Sequence, residues 1–430
     1  MHTIIHGDCL GELKKLDDNS VDAVITDPPY GLSNTKPAQV ADVLKAWVTG
    51  DTVSVPAKRG GFMGADWDSF VPPPAVWEEC MRVLKPGGHM AVFAGARTQD
   101  LMGLSIRLAG FEIRDTLGWI YGSGFPKSMD VSKAIDKAAG AEREVVGSST
   151  NGIAGGTGEH AGEPGSYGFR KEFNITTPAT SEAQRWDGWG TALKPAIEPI
   201  ILARKPLDGT VANNVLAHGV GGLNIDACRV EASDKAKFPS GVVSSTEAVY
   251  GGGGGMYADR PRPDDKNPAG RFPANVLLDE HAAKEMDKQS GWSKSPETTG
   301  RGAGGKHGRY HPIGAQGTVS APGDSGGASR FFPVFKYQAK APKKERPVIV
   351  REDGTKVQHP TVKPLKLMEW LVTLITPEGG TVLDPFAGTG TTLEAATNKG
   401  FNPIGIEADA DYIQLIHQRM EGGEQSTPSS

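Results

Sequence analysis

At 430 residues, 37% of them hydrophobic and 23% charged, the chain is long enough for about two to three domains and has the balance of a soluble protein. Its formal charge of −5 offers nucleic acid no global attraction, so a polyanionic partner has to meet a local basic surface. No apolar run reaches the roughly 18 residues of a membrane span. The start MHTIIHGDCL lacks a signal-peptide pattern, and Cys9, Cys80 and Cys228 match no metal or redox spacing. The expected setting is therefore the cytosol, with no membrane contact and no metal.

In chain order, HTIIHGD reads as a strand ending at Asp8, CLGELKKL as a short helix and SVDAVITD as a second strand. A loop to about residue 72 follows. PPPAVWEECMRVLKPGG then has Pro at its start and Pro-Gly-Gly at its end, the punctuation of a helix. HMAVFAG is a strand, RTQDLMGLSIRLAG a helix closed by Gly110, and FEIRDTLGWIYG a further strand. Between about 140 and 330, glycine clusters such as YGGGGGMYADR lack either secondary-structure period. Within that stretch, residues 193–207 carry the apolar run Pro199 to Ala203 and return as a strand of the main sheet. Leu365, Met368, Leu371, Val372 and Ile375 repeat at helical spacing, a packing element. TVLDPFAGTGTTLEAATNKG gives strand, glycine loop and helix with Gly400 as C-cap, and NPIGIEADADY gives a strand ending at Glu407. The alternation of strands and helices implies an α/β fold with a parallel sheet. The boundaries expected are 1–139, 140–330 and 331–420, with 421–430 as a disordered tail.

Two motifs carry chemistry. In LDPFAGTGTT, Gly388 and Gly390 have no Cβ, so a ligand can approach the backbone at a helix N-terminus; Asp384, Phe386 and Thr391 flank the loop. No Gly-Lys-Ser/Thr follows, which excludes a P-loop. Glu407, about twenty residues on at the next strand end, is placed to accept hydrogen bonds from ribose hydroxyls. In VITDPPYG, Pro28 and Pro29 end the strand and hold Asp27 and Tyr30 in a rigid turn.

Taken together with the N-terminal Gly7-Asp8, these motifs resemble the amino-group DNA methyltransferases that use S-adenosyl-L-methionine. The order, with Asp27-Pro-Pro-Tyr30 first and the glycine loop last, is similar to the permuted β-class. The resemblance covers about residues 1–135, 190–210 and 330–420 and includes HPTVKP at 359–364. It implies a Rossmann-like methyltransferase sheet, mostly parallel with one antiparallel strand closing one end, circularly permuted, with an inserted irregular target-recognition region. It also implies cofactor contacts from Thr361 and Lys363 to the methionine end, from Glu407 to the ribose, and from Asp8 and the backbone beside it, at Cys9, to the adenine ring. The catalytic residues would be Asp27, Pro28, Pro29 and Tyr30. Asp27 and the Pro28 carbonyl would grip an exocyclic amine while Tyr30 stacks on a base flipped from the duplex. Asp at the first position favours adenine N6; cytosine N4, RNA or a protein amide are the other acceptors, and a non-catalytic DNA-binding module is the rival from another class.

Double-stranded DNA is the expected partner. Lys336, Lys340, Lys343, Lys344 and Arg346 form a candidate phosphate-tracking arm, with a solvated linker as the competing reading. Residues 301–311 form a second basic candidate, Tyr121 and Lys127 are placed at the pocket mouth, Trp119 in the core, and 59–68 is a loop that closes over the base. A homodimer and a bacterial or phage-encoded, DNA-associated enzyme follow from the resemblance alone. The recognised sequence and any restriction-endonuclease partner are not legible.

Overall fold

The computed structural model describes residues 2–33, 35–56, 68–122, 124, 128–149, 173–230, 270–294, 298–301, 318–321, 325–335, 347–351, 353–359 and 361–424. They divide into two compact units, Met1–Ile120 with Glu198–Ser430, and Tyr121–Ile197. The larger is built on nine strands: β1 Thr3–His6, β2 Val21–Thr26, β3 Leu84–Phe93, β4 Glu112–Ile120, β5 Ile197–Arg204, β6 Val276–Asp279, β7 Val334–Phe335, β8 Thr381–Asp384 and β9 Asn402–Glu407. Their spatial order is β1-β9-β8-β2-β3-β5-β4-β6-β7.

Every residue of β2 is buried, as a central strand covered on both faces requires. Burying each large aliphatic side chain there contributes about 1.5–3 kcal/mol. Its one charged residue, Asp22, is satisfied by Lys85 Nζ at 2.7 Å and by the backbone N–H of Thr381 at 2.7 Å. That second bond ties the N-terminal strand to β8, with which β2 pairs in parallel at Val382↔Ala23 and Leu383↔Val24. At the edge, β1 pairs in parallel with β9, His6 facing Glu407. The first and last parts of the chain thus interleave in one sheet. All the strand ends that carry Asp8, Asp27, Asp384 and Glu407 consequently face the same side, as ligand crevices of open α/β sheets do.

The antiparallel strand is β5, which pairs with β3 from His89↔Arg204 to Phe93↔Ile200. It does not close the sheet at one end, as expected. It lies inside, because the sheet continues through β4 to β6 and β7, and β6 pairs in parallel with β4. The stretch 140–330 is therefore not a single irregular insert: VLLD at 276–279 joins the main sheet, and Asp279 caps the helix Glu280–Ser290 through Ala282 N at 2.5 Å. The separate unit ends instead at Ile197. In it, Val145–Ser149 pairs antiparallel with Phe173–Thr176, and buried Asp136 accepts from Arg143, Ala179 and Thr180.

Two local expectations also change. The loop expected before residue 72 contains the helix Pro37–Val48, whose Trp47 packs edge-on to Phe70 at 5.9 Å. Pro-Gly-Gly at 86–88 falls inside β3, where the pairing with β2 shifts register between Val21 and Ala23. Gly87 has φ 77°, and a Cβ there would lie 2.3 Å from Asn214 Nδ2, so the glycine serves a close approach rather than a helix stop. Trp119 is 1% exposed, a core residue against Phe335.

Candidate active site

The Asp27-Pro-Pro-Tyr30 motif leaves β2 at Thr26 and turns under three constraints. Asp68 Oδ1 accepts the backbone N–H of Tyr30 at 2.7 Å and of Gly31 at 2.9 Å, and Thr98 Oγ1 donates to the Tyr30 carbonyl at 2.6 Å. Gly31 has φ 68°, and a Cβ there would lie 2.8 Å from Val71 N, so the turn admits only glycine at that point. Among the described residues, no group donates to the Pro28 carbonyl, which leaves it as an acceptor.

Around Asp27 is a connected ionic cluster. Tyr30 Oη donates to Asp27 Oδ1 at 2.8 Å, and Lys363 Nζ donates to Tyr30 Oη at 2.9 Å. The same ammonium lies 3.1 Å from Asp27 Oδ2 and 3.0 Å from Glu198 Oε2, and 4.8 Å from the centre of the Phe93 ring. Burial opposes the lysine charge, but Asp27 and Glu198 outweigh it and hold the Lys363 ammonium well above the usual range. Burial, with Asp27 beside it, raises the Tyr30 phenol likewise, so it remains a hydrogen-bond donor.

The second half of the site is the glycine loop after β8. Asp384 Oδ1 accepts from Thr26 Oγ1 at 2.7 Å and from Phe386 N at 3.1 Å, and burial pushes its carboxyl up to about 6. Gly388 and Gly390 have φ of 53° and 77°, and Gly390 is the N-cap of the helix Thr391–Asn398. Glu407, at the end of β9, accepts from Gly388 N at 2.8 Å and Asp409 N at 2.9 Å, so its carboxylate is fixed beside the loop. Burial raises it above the usual range. Asp8 caps the helix Cys9–Leu13 through Gly11 N at 3.1 Å. Burial pushes the Cys9 thiol up to about 12, leaving it a neutral wall rather than a nucleophile.

One cavity joins the halves: Asp27, Thr361, Lys363, Asp384, Phe386, Gly388 and Thr391 all line it. Gly388 faces it with no Cβ, the cradle a bulky ligand needs, and His359 stands over the loop with its ring 4.7 Å from that of Tyr412. These residues, with Lys363 among them, fit the methionine end of the cofactor. Lys363, expected there, has its ammonium between Asp27, Tyr30 and Glu198, where three acceptors match its three donors.

Glu198, Asp68, Thr98 and His359 are not among the residues expected from sequence. Glu198 had a signal, an acid at the entry to the apolar run Pro199 to Ala203, His359 stood in the HPTVKP segment and Asp68 ended the loop 59–68 expected to close over the base; Thr98 had none. Lys336, Lys340, Lys343, Lys344 and Arg346 lie outside the described residues, as do Lys127, 302–311 and the loop 59–67; of the tail expected at 421–430, residues 421–424 continue the helix Ala410–Glu424 and 425–430 lie outside the described residues. Tyr121 belongs to the smaller unit. Among the described residues there is no cluster able to hold a metal ion and no helix long and apolar enough to cross a membrane.

The chain is similar to known proteins. The DNA methylase family model N6_N4_Mtase matches residues 21–145 and 168–418. The type II methyltransferase M.HindIII of Haemophilus influenzae is 27% identical over 97% of this chain and 94% of its own length. The DNA adenine methyltransferase YhdJ of Escherichia coli is 34% identical over 28% of this chain and 34% of its own. The crystal structure of the M1.HpyAVI–SAM complex is 15% identical with a TM-score of 0.38, covering 98% of this chain and 99% of that one. With the family model spanning both motifs and the intervening strands, the chain belongs to the DNA methylase family.

Proposed function

We propose that the protein transfers a methyl group to the N6 amine of an adenine flipped out of duplex DNA. The observation that carries this reading is the single cavity in which Asp27, from the first part of the chain, meets the glycine loop from the last. The name of the E. coli relative, an adenine enzyme, and the aspartate at position 27 favour N6 over N4. S-adenosyl-L-methionine, the family's donor, supplies an electrophilic methyl on a sulfonium. Glu407, Phe386, Gly388, Thr361 and Thr391 would hold it, with Asp8 and Cys9 at the adenine end.

The chemistry asked of the chain is to make a poor nucleophile adequate. An exocyclic amine delocalises its lone pair into the ring. The Asp27 carboxylate and the Pro28 carbonyl, accepting its two N–H groups, draw the nitrogen toward a tetrahedral geometry with the lone pair facing the methyl. As the N–C bond forms and the S–C bond breaks, the nitrogen must lose one proton, and the Asp27 carboxylate is placed to accept it. The turn held by Asp68 and Thr98 preorganises both acceptors, and Tyr30 offers a ring for the extruded base, whose stacking returns part of the few kcal/mol of unstacking.

Labelled methyl incorporation into duplex DNA, followed by nucleoside analysis, tests this. N6-methyladenine in the wild type and none with Asp27→Ala is the expected result; N4-methylcytosine would replace the acceptor, and label persisting in the variant would remove Asp27 from the chemistry. The resemblance also supports a homodimer, which light scattering at the single-chain mass of 45.4 kDa would exclude.

A further inference from the structure

Lys363 and Asp27 form an ion pair at the spot where a base amine has to bind. The Asp27 oxygens are taken by Tyr30 Oη and the Lys363 ammonium, so an incoming N–H competes with a buried internal cation. Stripping that cation of its only carboxylate would be costly, because an uncompensated buried charge is among the least favourable groups in a protein. Glu198 changes this. It sits at the start of β5, and Ala94 N donates to the adjacent Pro199 carbonyl at 2.9 Å, which anchors that strand end beside Phe93. Its carboxylate already holds the same ammonium at 3.0 Å.

We infer that Glu198 is a positioning residue: it is the standing counter-ion that retains Lys363 while Asp27 is handed over to the substrate amine. This inference rests on the methyl-transfer reading of Asp27. With both carboxylates present the cluster of Asp27, Glu198 and Lys363 carries a net charge of about −1, suited to a cationic donor. Without Glu198 the lysine has only Asp27 to neutralise it and locks the acceptor. The role predicts an unusual ordering of variants, in which removing a second residue restores activity lost with the first.

The test is methyl incorporation into unmethylated duplex DNA at saturating donor, with donor binding measured by equilibrium dialysis. Glu198→Gln should lower kcat about 30-fold while donor affinity stays within about threefold. Glu198→Gln combined with Lys363→Met should transfer at least about fivefold faster than Glu198→Gln alone, since Asp27 is then no longer sequestered. A Glu198→Gln enzyme as fast as the wild type, or a double variant no faster than the single one, overturns the inference. If Glu198→Gln fails to bind donor through misfolding, Glu198→Asp, which keeps the charge, is compared with Glu198→Ala, and equal rates for the two overturn it. Wild-type protein that incorporates no label, or Asp27→Ala that does, counts instead against the underlying reading.

Discussion

The two sides of the candidate site, its walls, are built in different ways. The wall that ends β8 and β9 is made from backbone: glycines with left-handed φ, amides pointing at Glu407, and a helix N-terminus at Gly390. The wall that ends β2 and begins β5 is made from side-chain charge: Asp27, Lys363, Glu198 and the Tyr30 hydroxyl in one connected cluster. A backbone cradle binds by shape and tolerates little variation in conformation. A charge cluster can exchange partners, which is what an acceptor that must release one hydrogen bond to gain another requires.

Variants that strike one wall should leave the other intact. The largest effect expected is on the charged side: Asp27→Ala should reduce kcat by about a thousandfold or more, with donor affinity changed less than about threefold, measured by label incorporation and equilibrium dialysis. Dependence of stability on pH should then separate His89 from Asp384 by sign. His89, in β3 opposite Arg204 of β5, is held by burial, with Arg204 and Arg114 nearby, at about 4. Its unfolded form takes up a proton below about 6.5 that the native form refuses, so stability falls as pH drops from there toward 4. Asp384, at the end of β8 on the backbone wall, is raised by burial to about 6. The native form keeps a proton that the unfolded form loses above 3.8, so stability falls as pH rises from there to about 6. Each contribution is on the order of 3 kcal/mol. Urea melts between pH 4 and 7 should show His89→Leu losing the acid-side fall and Asp384→Asn losing the opposite one; matching slopes in both variants would contradict the assignment.

Smaller effects fall on the backbone wall. Glu407→Ala should weaken donor binding about tenfold while kcat at saturation changes by less than about threefold, read by the same dialysis and incorporation. Gly390→Ala should cost about 1–2 kcal/mol in chemical denaturation, since a side chain at φ 77° is strained and its Cβ would press on Ile416 Cγ2 at 3.0 Å. If Glu407→Ala lowered kcat as much as Asp27→Ala, the division of labour between the walls would fail.

The backbone wall was also the easier one to read from sequence. Gly388, Gly390 and the acid about twenty residues on form a local pattern, because a tight turn into a helix needs residues without a Cβ at fixed offsets. The charged wall was read only in part. Asp27 and Tyr30 stand out through the two prolines, but no local pattern brings Lys363 and Glu198 to them. Their meeting depends on three segments far apart in the chain. The same holds for β6: VLLD at 276–279 is too short an apolar run to outweigh its glycine-rich surroundings, and only its pairing with β4 makes it part of the sheet.

From the amino-acid order alone came the α/β alternation, the rigid turn at Pro28 and Pro29 and the glycine loop, each from restrictions on φ, missing donors or short-range periodicity, while the expectation that head and tail share a sheet came from the resemblance to the permuted methyltransferases. The tertiary structure decided the rest. It placed β5 inside the sheet and not at its end, brought β6 and β7 onto the far edge, and set the Lys363 ammonium between two carboxylates. Strand neighbours and buried ion pairs are chosen by which surfaces and charges can be satisfied together in three dimensions, and no local rule along the chain encodes that choice.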